Sequence, residues 1–205
     1  MDADPDGQEG AGGGIEPAER WGIFGLEAAE NEDCSEVKAT PEKQYGIRQL
    51  ANWILDYADG LNVELSNMGL NKILFFAYEH ALLKYNRKLT NAKIEAWDHG
   101  PVFREVYRSF KQHGNRSIND RASVYDPLSD SLKTANTDIH PLDQEIISEA
   151  IKDLIHLPAF VLRELSHSNN GAWARVWYHP EKSNPGMEIS DEIIYRTNDS
   201  GRLSQ

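Results

Sequence analysis

The chain has 205 residues, 40% of them hydrophobic, and a formal net charge of −12. That length fits one domain with a tail better than two domains. The apolar share supports a core that needs neither disulfides nor a metal to fold. The charge is unevenly placed: residues 1–44 hold twelve Asp or Glu against three Lys or Arg, whereas residues 45–205 hold 21 against 18. Such a chain repels a phosphate backbone, so nucleic acid is not an expected partner. The one cysteine, Cys34, cannot bridge internally, which fits a reducing compartment. Met1-Asp2-Ala3-Asp4-Pro5-Asp6 has the wrong charge for a signal peptide, and no apolar run reaches spanning length. The expectation is a cytoplasmic protein with no membrane partner.

Residues 1–44 read as a disordered, acidic, Gly-rich tail, because they hold too few large apolar groups to offset the entropy of ordering. Within it, Trp21-Gly22-Ile23-Phe24-Gly25-Leu26 is an apolar knot among acids. Either it packs on the protein's own surface or does nothing specific, or Trp21 and Phe24 anchor on a partner, as buried aromatics do at interfaces.

The body then reads in chain order. Ile47, Leu50, Ala51, Ile54, Leu55 and Ala58 recur at helical spacing and stop at Asp59-Gly60. Ser66 is a suitable N-cap for a helix running to Tyr85, with Leu70, Ile73, Leu74, Ala77 and Ala81 inward. Phe75, Phe76 and Tyr78 make it apolar on further faces, which marks it as the central helix. Residues 87–100 lose the helical period and suggest an extended or hairpin-like segment. Asp98-His99-Gly100-Pro101 breaks it, with Pro101 placed to begin a new helix carrying Val106, Tyr107 and Phe110 as far as His113-Gly114. Residues 115–140 read as a polar surface loop with Ile118 in a short strand. Pro141 starts a helix whose stripe runs from Ile146 to Ile155, with Asp143 and Glu145 near its positive end. A short helix follows Pro158, aromatics gather over Gly171–Tyr178, and Ser190 caps one or two last turns. There is no internal repeat. The expected fold is mainly α: a single compact helical domain of about six helices with at most a small β hairpin, spanning residues 45–205.

Chemistry is sparse. No phosphate loop, nucleophile elbow or zinc-binding helix pair is present. The seven histidines are scattered without metal-ligand spacing. No catalytic, cofactor-binding or metal-binding residues are expected. Two clusters remain. In Ile94–Val102, Trp97 is core and Glu95 pairs locally, or Glu95, Asp98 and His99 rim a recognition surface. In Leu165–Trp173, His167 hydrogen-bonds backbone to hold Trp173, or it lies in a binding groove.

At these clusters the chain resembles the Panacea domains, the SocA-like antitoxins. The resemblance lies in Asn71-Lys72-Ile73-Leu74-Phe75-Phe76-Ala77, in Glu95-Ala96-Trp97-Asp98-His99-Gly100-Pro101-Val102, and in Val106-Tyr107 followed by Gly114. It continues through Leu165-Ser166-His167 with Trp173, and Ile189 to Ile194, so that it covers roughly residues 45–196. Asn86-Arg87-Lys88 stands where Gly-Lys-Pro-like residues are common, and Asn170-Gly171-Ala172 where an acid and Pro often precede the Trp. The resemblance implies binding and no catalysis: an antitoxin, of a kind often prophage-linked, that neutralises a cognate protein toxin from an adjacent gene by direct contact. The partner-binding residues expected are Glu95, Trp97, Asp98, His99, Tyr107, His167 and Trp173, with Trp21 and Phe24 in the tail. Two rivals are an adaptor delivering its partner to a protease, and an enzyme using His99, His167 and Glu95 as acid–base groups.

Overall fold

The computed structural model describes residues 43–179 and 187–202. The expected tail, Trp21 and Phe24 included, lies outside them apart from residues 43 and 44. Seven helices and two small sheets occur among the described residues. The helices are α1 (Ile47–Gly60), α2 (Asn67–Tyr85), α3 (Arg104–Phe110), α4 (Pro141–Ile151), α5 (Ala159–Ser166), α6 (Ala172–Trp177) and α7 (Asp191–Arg202). The strands are β1 (Ile94–Trp97), β2 (Gly100–Phe103), β3 (Ser123–Asp126), β4 (Ser131–Thr134) and β5 (Met187–Glu188).

Helix α2 is the axis. It packs against α1, α3, α4, α5, α7 and β2, and every residue from Gly69 to Leu82 is buried. Each fully buried Leu, Ile or Phe there contributes roughly 1.5–3 kcal/mol over leaving it in water. Ser66 caps the helix by accepting from the Gly69 N–H at 3.3 Å. Asn86 ends it in the left-handed region, φ 48°. All six apolar residues of the α1 stripe are buried as their spacing predicts.

The ends of the body are tied by buried charge. The Arg87 guanidinium grips Asp143 with two hydrogen bonds of 2.8 Å, and the Tyr45 hydroxyl donates to the same carboxylate at 2.7 Å. Asp143, placed by the sequence near the start of α4, is fully buried and tied to Arg87, the residue after the C-cap of α2. Tyr78 and Lys88 donate to Asp191 and anchor α7.

Four expectations need correction. Pro101 does not begin a helix: it lies in β2, paired with Ala96, and α3 starts at Arg104. β2 is an edge of the three-stranded sheet β2-β1-β5, where a residue without an N–H costs no ladder bond. Residues 115–140 are not only loop, since β3 and β4 form an antiparallel hairpin. Its strands are almost wholly exposed, Tyr125 and Leu132 included, with Leu128 at the turn fully so. No alternation of buried and polar positions existed to reveal it. The last helix runs for twelve residues, beyond one or two turns, and the β content exceeds one hairpin.

Asn52 on α1 closes the feet of that hairpin. Its side chain accepts from Ala122 N–H at 2.8 Å and donates to the carbonyls of Ala122 and Ala135, each at 2.9 Å. The side chain is completely buried. Replacing it (Asn52→Leu) leaves the Ala122 N–H and the Ala135 carbonyl without this partner, while the Ala122 carbonyl keeps the Ala135 N–H, so a loss of about 2–4 kcal/mol is expected. Urea unfolding of the variant measures it.

Candidate binding surface

The β1–β2 corner is built on α2. Asn71 Oδ1 accepts from Phe103 N–H at 3.0 Å, and Asn67 Nδ2 donates to Tyr107 O at 3.0 Å. Lys72, 1% exposed, donates from Nζ to Pro101 O at 2.8 Å. Three polar side chains of a buried helix thus find partners on the backbone of one segment, as burial demands. Burial, and then the nearby Arg163 cation, lower the Lys72 pKa from 10.5 to about 7.

The turn itself uses Gly100. Asp98 and His99 keep negative φ, and Gly100 takes φ 94°. A Cβ there would lie 2.7 Å from Ser166 Oγ and 2.9 Å from Lys72 Cε and Nζ. The position therefore excludes any side chain on conformation and on space.

Around this corner stands a set of aromatic rings. Trp97 meets Tyr107 edge-on at 5.0 Å, and its indole N–H donates to Glu95 Oε2 at 2.9 Å. Arg104 donates to that same oxygen from Nε at 3.0 Å and Nη2 at 2.8 Å, so the buried Glu95 is neutralised locally. Trp173, nearly fully buried, donates its indole N–H to Trp97 O at 2.8 Å, tying α6 to β1. His167 stacks on Trp173 with centroids 3.7 Å apart and planes 6° apart. Trp177 and Tyr178 each lie 5.7 Å from the Trp173 ring. Tyr107 and Tyr178 are exposed, as are Asp98 and His99 on the turn.

Five of the sequence-derived residues, Glu95, Trp97, Tyr107, His167 and Trp173, are thereby linked in one assembly by rings and hydrogen bonds. Asp98 and His99 rim it. His167 holds Trp173 by stacking; its Nε2 has no hydrogen-bond partner, so the expected backbone hydrogen bond from the ring is corrected on that nitrogen. No hydrogen bond or ion pair joins any two of Glu95, His99 and His167, the triplet considered for acid–base work. Sequence reasoning missed Arg104, Arg163 and Tyr178 as members of the surface. A lysine inside the apolar run 70–77 was the signal for Lys72, whose role the motif alone did not define.

The described residues hold no group of three or more His, Cys, Asp or Glu arranged for a metal ion, and no helix long and apolar enough to cross a membrane. The family model for the SocA-like antitoxin, Panacea domain, matches residues 70–174. That span includes α2 from Leu70 onward, the β1–β2 corner and Trp173. The antitoxin SocA of Caulobacter vibrioides (strain NA1000 / CB15N) is 34% identical over 151 residues, covering 72% of this chain and 79% of that protein. The chain belongs to the SocA-like antitoxin family. No solved structure matches it significantly.

Two predictions follow from the corner. Gly100→Ala should destabilise the fold by about 2–3 kcal/mol, read as a fall in the urea midpoint. The second concerns acid. Burial, then Arg163 and Lys72, lower the His167 pKa from 6.5 to about 4. The unfolded chain therefore takes up a proton at His167 before the folded one does, and stability falls as pH drops from 6.5 to 4. His80, lowered by its own burial, acts in the same direction. His167→Phe keeps a ring on Trp173 and removes the titration, so its melting temperature should fall less steeply across that window.

Proposed function

We propose that this chain is a cytoplasmic antitoxin that neutralises a cognate protein toxin by direct, non-catalytic binding, with residues 45–205 as the binding domain. The observation that carries the reading is membership of the SocA-like antitoxin family, with the family match covering Trp97, Tyr107 and Trp173. The toxin is the product of the adjacent gene, and it docks on the surface formed by Trp97, Tyr107, Trp173 and Tyr178, rimmed by Asp98 and His99.

The chemistry of that surface supports the assignment. Exposed Tyr rings backed by buried Trp give large, stiff contact area at low entropic cost. Aromatic residues of this kind carry most of the binding energy at protein interfaces. Because Tyr107 and Tyr178 are exposed, they can be truncated without emptying the core.

Co-expression with the adjacent gene's product tests the reading: its toxicity should disappear beside the intact chain. Toxicity that persists, or a neighbour harmless by itself, overturns it. Tyr107→Ala with Tyr178→Ala should weaken binding by tenfold or more, roughly 1.4 kcal/mol or above, measured by calorimetry. The melting temperature should fall by only a few degrees, since each truncation gives up one edge-on ring contact worth about 0.5–1.5 kcal/mol, and binding is measured well below it.

A further inference from the structure

Four of the nine large hydrophobic residues that stand exposed among the described residues, Val124, Tyr125, Leu128 and Leu132, lie on the β3–β4 hairpin. So much apolar surface on twelve residues points to an interaction site, and the backbone beside it is open as well. Ala135 N–H donates to Ala122 O at 2.9 Å, which makes these two a bonded pair, and bonded pairs recur at every second position of an antiparallel ladder. Val124 with Lys133 and Asp126 with Ser131 are therefore bonded too. Ser123 and Tyr125 on β3, and Leu132 and Thr134 on β4, turn their N–H and C=O groups outward. No third strand covers either edge, and none of these groups bonds to backbone elsewhere in the described residues.

Charge tells the two edges apart. When two copies pair antiparallel about a two-fold axis, the same residue from each copy meets at the axis. Pairing the outward groups of two β4 strands places the axis at Lys133, which sets two ammonium groups on residues about 5 Å apart. A lysine so placed keeps a strand edge single. Pairing two β3 strands places the axis at Val124, so that valine meets valine. Ser123 of each copy is then level with Tyr125 of the other, and every outward N–H of β3 finds a C=O. Asp126 is level with an alanine, Ala122, and keeps its own ion pair with Lys133. The two Lys133 residues end three strand spacings apart, roughly 14 Å, beyond the screening length at physiological salt. Tyr125 and Leu132 stand opposite one another on one face of the hairpin, and the same pair from the second copy extends that apolar strip. The two sets of hairpin feet lie at opposite ends of the pair, which sets the bodies apart.

We propose that β3 is a self-association edge, to which a second copy of this chain adds its own β3 antiparallel about Val124. The product is a four-stranded sheet in the order β4-β3-β3-β4, where each hairpin alone is a two-stranded ribbon of marginal stability. The proposal is independent of the antitoxin reading, because self-association is measured without the adjacent gene's product.

Sedimentation equilibrium of the full-length chain at rising concentration tests it. The average mass should climb from that of the monomer toward twice it and no further, since β4 stays closed. Association should strengthen as salt is raised, because each copy carries a net charge of −12 and salt screens their repulsion. Val124→Lys and Val124→Glu should each abolish association, and an equimolar mixture of the two should restore it, as opposite charges then meet at the axis. Position 124 is exposed, so both variants should fold, which circular dichroism checks. A chain that stays monomeric leaves the edge to a strand of some other protein and overturns the proposal. Association that survives Val124→Lys, that is not restored in the mixture, or that grows past a dimer overturns it as well.

Discussion

Everything near the aromatic corner depends on the requirement that a polar group withdrawn from water must be paired. Helix α2 is apolar on every side, yet it carries Asn67, Asn71 and Lys72 in its buried first turns. None can reach solvent, so each takes a partner from the backbone of residues 101–107. The helix thereby does more than fill the core. Its few polar atoms specify where β2 ends and where α3 begins, and the exposed rings are hung from those points.

The surface is assembled from segments far apart in the chain. Tyr107 comes from α3, Trp97 from β1, and Trp173 and Tyr178 from the region of α6. The indole of Trp173 joins the last two groups through Trp97 O. His167 adds a second hold on that indole by lying flat against it. A single buried ring therefore sets the spacing between the parts a partner would touch. This is economical because Trp offers both a large apolar body and one directed donor.

What could be read from the residues follows from where periodic patterns exist. The α1 stripe, the Ser66 cap and the central place of α2 were legible because burial imposes a period on the chain. The two blocks at Glu95–Val102 and Leu165–Trp173 were legible as unusual, and they do converge. Pro101 was misread because proline suits a helix start and an edge strand equally, and only the pairing with Ala96 decides between them. The β3–β4 hairpin was invisible because its side chains face water on both sides. The closeness of Lys72 to Gly100 was out of reach for another reason: residues 72 and 100 are brought together only by the packing of β2 on α2.

The hairpin that escaped detection has a practical meaning of its own. Asn52 clamps its two feet at Ala122 and Ala135, and beyond that clamp the strands bury almost nothing. Whatever lies between the feet can vary in length or composition while the body keeps its shape, because loop closure costs grow only slowly with added residues. Residues 127–130 are accordingly the natural splice point for a fluorophore, an epitope or a whole reporter domain.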